Sequence, residues 1–101
     1  MSLSLHHRQG DVLFVRCESL PADLRKQRSN VIVQGEATGH AHRLTSGEIL
    51  RGPNGQRFLR ITDEETLVQH EEHAPITLAQ GGWAVLRQRE YRPQALRLVR
   101  D

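Results

Sequence analysis

Short apolar runs separated by polar turns follow one another along the first half of the chain. Residues 11–16 (DVLFVR) and 31–33 (VIV) are apolar and rich in β-branched side chains, which is typical of buried strands. Residues 48–51 and 57–62 flank the Gly-Pro-Asn-Gly cluster at 52–55, and this arrangement predicts a β-hairpin.

The second half of the chain continues the same pattern. Residues 63–65 (DEE) predict a polar turn before a strand at 66–70, and residues 76–78 form another short apolar run. The residues Gln80-Gly81-Gly82 then predict a turn into a longer strand at 83–91, which the following proline ends.

The spacing of these signals predicts the fold class. Turns recur about every 8–12 residues and no long window has helical periodicity, so we expect a small all-β domain, either a β-barrel or a sandwich. At most one short helix or helical turn is expected, near residues 21–28, after Pro21. We expect residues 1–9 to be a flexible N-terminus, 10–92 a single domain, and 93–101 an edge strand or a tail.

Length and composition narrow the class of protein. The chain has 101 residues, of which 37% are hydrophobic and 26% charged, as in an ordinary globular domain. No apolar run approaches the length of a membrane span, and residues 1–9 lack the apolar stretch of a secretory signal. Cys17 is the single cysteine, which excludes an intramolecular disulfide framework. We therefore expect a cytoplasmic protein without membrane contact.

The charged residues argue against nucleic acid as a partner. Arginines are spread along the chain among acidic residues, and aromatic residues are only 4%, so stacking surfaces for single strands are scarce. Arg87, Arg89 and Tyr91 alternate along the last long strand. We expect a solvated sheet face there, with an anion-binding or subunit-contact stripe as the alternative.

The six histidines fall into three pairs, of which two are candidates for a site. His6 and His7 are expected to be solvent-exposed in the flexible N-terminus. His40 and His42 are two residues apart in a glycine-containing segment, so in a strand they project from one face, as two imidazoles that bind one metal ion do.

The third pair lies in the sequence His70-Glu71-Glu72-His73. A bulge or tight turn through the two glutamates would let both rings converge. Neutral imidazole binds zinc, copper, iron and nickel. Glu71 or Glu72 is then a further ligand, an orienting residue or, in an enzyme, the proton carrier.

These residues predict a metal-binding β-barrel protein whose reaction is not specified and which can take a small-molecule ligand. The candidate ligands are His40, His42, His70 and His73, for a divalent transition metal (zinc, nickel, iron or copper). The main alternative is a non-enzymatic module for protein interaction or self-assembly, in which the histidines are interface residues. A purely structural alternative is that His40 and His42 hydrogen-bond across strands while the HEEH sequence forms a solvated turn. A homo-oligomer is expected, since small β domains associate through exposed edges. Arginine-mediated binding of nucleic acid is a weaker alternative.

Two resemblances add to this interpretation. Gly35, followed by His40-Ala41-His42 and Glu48, is partly similar to the first motif of cupins, which implies a β-barrel with an HxH metal site. A longer string covers most of the chain: QGDV at 9–12, GEATGHAH at 35–42, HEEHAPI at 70–76 and RQREY at 87–91. This string resembles a group of small uncharacterised bacterial proteins and implies no activity.

Overall fold

The computed structural model describes residues 6–35 and 39–87 of the chain. In these residues the protein consists of eight β-strands and the connections between them. The strands are β1 His6–Gln9, β2 Val12–Cys17, β3 Arg25–Lys26, β4 Val31–Gln34, β5 Ala41–Leu44, β6 Glu48–Arg51, β7 Arg57–Gln69 and β8 Ile76–Arg87. The predicted all-β class is confirmed.

All strand pairs are antiparallel and belong to one open sheet with the order β1-β2-β8-β7-β5-β4. The long hairpin of β7 and β8 is its centre. The first half of β7 also pairs with β6, which in turn pairs with β3, whereas the end of β7 pairs with β5. Because β7 changes partner along its length, the sheet divides into two halves that fold over a common core.

The core lies between these two halves. Alternate residues of the central hairpin, such as Leu59 and Trp83, face inward, and the register pairs these two directly. The other apolar side chains of the core come from the rest of this hairpin and from β2, β4, β5 and β6. The buried cluster comprises Val12, Phe14, Ile32, Val33, Leu44, Ile49, Leu59, Ile61, Val68, Leu78, Trp83 and Val85.

The turns predicted at residues 63–65 and 80–82 are wrong. β7 runs through 63–65 and β8 through 80–82, and the register between the two strands shifts between Ile61 and Glu65. A bulge of this kind lets polar residues face solvent while the strand continues and bends. Gly81, opposite the bulge, has φ 128°, a conformation that side chains with a Cβ rarely adopt. The acidic and glycine residues therefore mark a bend within a hairpin.

The hairpin turn predicted at 52–55 is confirmed. Gly55 N donates to the Gly52 carbonyl at 3.0 Å, and Gly52 N donates to the Gln56 carbonyl at 2.8 Å. This turn joins β6 to β7, whose register begins with the pair Arg51 and Arg57.

The chain ends differ from the sequence-based expectation where the structure describes them. Residues 6–9, expected in a flexible N-terminus, form β1 and pair with β2 from His6–Val15 to Gln9–Val12. Residues 21–28 contain the two-residue strand β3 and no helical turn. The expected edge strand or tail at 93–101 lies outside the described residues. No helix in the described ranges is long and apolar enough to cross a membrane.

Candidate functional site

The pairing of β5 with β7 brings the two predicted histidine pairs together. Arg43 pairs with Gln69 and Leu44 with Val68. Continuing this antiparallel register by one residue places His42, in β5, beside His70, which directly follows β7. His40 precedes β5, and His73 lies in the bend between β7 and β8. The bend expected through the HEEH sequence is therefore present.

His70 is at the centre of the resulting cluster. Its ring centroid lies 4.4 Å from that of His42, 4.6 Å from that of His73 and 5.6 Å from that of His40. The rings of His42 and His73 are stacked at 6.5 Å. All four candidate metal ligands named from the sequence thus meet in one place.

The atoms best placed for a metal ion belong to His40, His70 and Glu71. One potential ligand atom from each residue lies within 4.8 Å of the other two. Ligand nitrogens around a tetrahedral zinc ion are about 3.3 Å apart, since zinc–nitrogen bonds are about 2.0–2.1 Å. Small side-chain rotations would bring the ligand atoms from within 4.8 Å to this shorter spacing. His42 and His73 lie next to the group and contact the ring of His70.

The tautomer of His42 follows from its contact with Gln9. The Gln9 side-chain amide donates from Nε2 to the carbonyls of Val68 and Ala74, both at 2.9 Å. Its Oε1 therefore faces His42 Nδ1, at 2.8 Å, and must accept the hydrogen bond. His42 consequently carries its proton on Nδ1 and keeps the Nε2 lone pair for a ligand, as in metal sites where a second residue orients the ring.

Burial keeps His42 neutral. The residue is only 5% exposed, and desolvation, followed by repulsion from His70, lowers the pKa of His42 from 6.5 to about 4. A neutral imidazole is the form that binds metals.

His70 also has one ring nitrogen occupied. The backbone N–H of Glu72 donates to His70 Nδ1 at 3.0 Å, so in the neutral ring Nε2 carries the proton. A metal ion would bind Nδ1 in place of this hydrogen bond, or Nε2 after the proton has moved to Nδ1.

The two glutamates of the bend have different environments. Glu71 accepts hydrogen bonds from Ala41 N and from Arg43, both at 2.9 Å. The backbone N–H of Ala41 first, and then the Arg43 guanidinium, lower the pKa of Glu71 to about 2. Glu72 is 66% exposed, with Oε1 3.5 Å from His40 Nδ1. Glu71 therefore holds the bend against β5, whereas Glu72 is a solvated carboxylate beside the cluster.

Gln9, Gly10 and Asp11, between the first two strands, were not predicted to belong to the site. Asp11 lines the small pocket of about 210 Å³ that holds the histidines, and Arg87 lines it too. Gly10, with φ 62°, lies so close to His73 that an added Cβ would be 2.7 Å from its Nε2. The only sequence signal was the QGDV string, which had no chemical interpretation.

His6 and His7, expected to be exposed, lie in β1 outside this cluster. His6 is exposed, but His7 is half-buried with its ring 5.6 Å from that of Trp83. Arg87, expected on a solvated face, pairs with the fully buried Val12 and therefore projects on the inner face of the sheet. Arg89 and Tyr91, the rest of that stripe, lie outside the described residues.

Comparison with known proteins identifies the family. The model of a family described as a domain of unknown function (DUF8820) matches residues 8–88, which include all eight strands except the first two residues of β1. The chain therefore belongs to this family. No curated protein and no solved structure matches the chain.

Proposed function

We propose that this protein binds a divalent transition metal through the histidine cluster. The observation that supports this most strongly is the convergence of two pairs that are about thirty residues apart in sequence, His40 and His42 with His70 and His73, around the ring of His70. Burying or crowding imidazoles without a ligand is unfavourable once any of them is charged. Neutral imidazoles are the form that binds a metal ion, and burial keeps His42 neutral.

The donor set suits zinc, nickel, iron or copper. Imidazole nitrogens and one carboxylate are ligands that all four metals accept. His42 offers Nε2, with its ring oriented by Gln9, and Glu71 offers a carboxylate that is ionised at neutral pH. The ring orientation of His42 does not have to be established when the metal binds, which favours affinity.

The site is open on one side. A metal ion bound there would therefore keep one coordination position free for a small-molecule ligand. His73, Glu71 and Glu72 are exposed, whereas His42 is buried. Structural zinc sites are closed by four protein ligands, while catalytic sites keep one position for water or substrate. A metal here would bind water or a small molecule on the exposed side.

If the metal activates water or substrate, Glu72 is the better proton carrier of the two glutamates. A carboxylate with a pKa of about 2, such as that of Glu71, is too weak a base to accept a proton at neutral pH. Glu72 is not held by Arg43 and lies beside His40. We assign Glu71 to metal binding or to positioning of the bend.

Metal analysis of the full chain purified without an affinity tag tests the proposal. We expect about one metal ion per chain in the wild type, and loss of this metal in His42→Ala and His70→Ala. His6→Ala is the matched control, because this exposed histidine of β1 lies outside the cluster, and it should keep the metal.

The same samples test the interaction-module alternative, in which the histidines lie at a subunit interface. Metal-free wild type that stays metal-free after incubation with zinc, nickel, iron and copper contradicts the metal proposal. A change of oligomer size in His40→Ala or His73→Ala, without bound metal, supports the interface. We further propose a cytoplasmic location, since the single cysteine is compatible with a reducing compartment.

A further inference from the structure

Two arginines occupy positions where the strand pattern calls for apolar side chains. In β7, Arg57 is in phase with the buried Leu59 and Ile61, and in β8, Arg87 is in phase with the buried Trp83 and Val85. Both arginines therefore project on the core-facing side of the sheet, at the end where the core opens.

The register makes these two arginines neighbours. Arg57 pairs directly with Val85, and Arg87 lies two residues further along the same strand. Diagonal neighbours on one face of an antiparallel pair are about 7–8 Å apart, within reach of long side chains. Two guanidinium groups on one inner face repel each other unless an anion lies between them.

Among the described residues Arg57 has no ion pair, and Arg87 has only a long one. That partner is the carboxylate of Asp11, which is itself half-exposed and lies 3.9 Å from Arg87 Nη2. The Nε–H of Arg87 is buried and has no hydrogen-bond partner within residues 6–35 and 39–87. A buried guanidinium N–H without an acceptor is costly, so this group is prepared for an acceptor that a ligand supplies.

The space in front of these arginines is a cleft of about 730 Å³. Its walls are the end of β8, the turn before β7, β4 and the segment that precedes β4. Val31, Val33, Val85 and Leu86 supply apolar surface, and polar uncharged side chains such as Gln27 and Asn54 line the rest. No Asp or Glu among the described residues lines this cleft.

We propose that this cleft binds a small organic anion, with a carboxylate or phosphate held by Arg87 and Arg57 and an apolar body against the valines. Arginine presents forked donors that match both head groups. The cleft has a volume typical of small-molecule sites. Arg87 and Val33 line both this cleft and the histidine pocket, so the bound anion lies beside the histidines.

This proposal does not depend on the metal site and is tested on metal-free protein. Benzoate and phenyl phosphate are titrated into the full chain in Tris buffer, and backbone amide shifts are followed by NMR. We expect saturable shifts at the amides of Val33 and Val85 with at least one probe. The probe that binds more tightly identifies the head group.

Variants of three arginines, two on the inner face of the sheet and one on the outer face, make the test specific. Arg87→Gln should weaken binding at least about tenfold, as expected for loss of a charge-assisted contact, and Arg57→Gln should weaken it in the same direction. Arg60→Gln is the matched control: Arg60 is an exposed residue of the same strand β7 and pairs with Glu48 at 2.8 Å. Its affinity should equal that of the wild type.

Three results overturn the proposal. These are no saturable shift with either probe up to about 10 mM, equal affinity in Arg87→Gln and wild type, and binding of inorganic phosphate or uncharged benzamide as tight as that of the better probe. Amide dispersion in the same spectra shows whether each variant is folded; if Arg87→Gln is not, Arg57→Gln decides.

Discussion

Gln9 and His42 form a hydrogen bond of 2.8 Å that connects β1 to β5, two strands that are not neighbours in the sheet. Both side chains are almost fully buried. The bond closes the curled sheet next to the histidine cluster and fixes the proton of His42 on Nδ1. A residue without metal-binding ability of its own thus determines which nitrogen of His42 is available.

Replacing Gln9 should therefore affect stability and metal binding together. Gln9→Leu removes three hydrogen bonds and leaves the buried Nδ1–H of His42 without its acceptor, so we expect a loss of about 2–4 kcal/mol in the free energy of unfolding. Metal affinity should fall about 10–100-fold, as for loss of other orienting residues. Urea unfolding and metal titration measure the two effects. The control is Arg8→Gln, the exposed preceding residue; equal losses in both variants would exclude the specific role of Gln9.

The pKa of His42 predicts the pH dependence of stability in the metal-free protein. The folded-state pKa of about 4 lies below the ordinary value of 6.5. Between pH 4 and pH 6.5, therefore, the His42 ring binds a proton in the unfolded chain but not in the folded chain. The contribution of His42 to the free energy of unfolding is therefore complete above pH 6.5 and declines as the pH falls towards 4. Below pH 4 it stays constant, and the total decline is about 3 kcal/mol.

This prediction is checked by urea unfolding at several pH values and by NMR titration of the ring. His42→Gln should remove the decline between pH 6.5 and 4. A ring of His42 that titrates near pH 6.5 in the folded protein would contradict the burial and the contact with Gln9.

Gly10 tests the position of His73. Gly10→Ala places a methyl group where the His73 ring lies, so we expect the ring to move out of the cluster and metal affinity to fall at least about tenfold. Gly39→Ala is the matched control, because Gly39 also has a positive φ, 77°, but no atom of the part of the chain that the structure describes lies within 4 Å of an added Cβ. In both variants an alanine at a positive φ adds backbone strain of about 1 kcal/mol, so this effect is the same in the two. Metal titration that shows equal affinities for both would mean that His73 does not contribute.

The two glutamates should separate in a metal titration. Glu71→Ala removes the contacts to Ala41 N and Arg43, so the bend detaches from β5 and metal affinity decreases. Glu72→Ala, at an exposed position, should leave metal affinity within about twofold of wild type. A larger loss of metal affinity in Glu72→Ala than in Glu71→Ala would assign the positioning role to Glu72.

Local features of this fold were predictable and long-range ones were not. The hairpin at 52–55 follows from the turn chemistry of glycine, proline and asparagine, which acts within four residues. The acidic residues 63–65 look like a turn because a bulge and a turn have similar compositions, and only the partner strand distinguishes them.

In the candidate site, too, the local features were predictable from the sequence and the long-range contacts were not. The four histidines were identifiable from their spacing, but their convergence depends on the pairing of β5 with β7, which no local signal indicates. Gln9 was not identifiable, because its role requires the curled sheet to bring β1 to β5. Arg87 was assigned to the wrong face because the inner face of β8 depends on its register with Val12.

A crystal structure of the tag-free protein grown with zinc, with anomalous data at the zinc edge, tests the metal site most directly. If the histidine cluster binds metal, we expect one anomalous peak per chain inside it, with ring nitrogens from at least two of the four histidines about 2.0–2.1 Å away. Full occupancy of zinc elsewhere on the surface, with the four rings unliganded and His70 Nδ1 still bonded to Glu72 N, would contradict it.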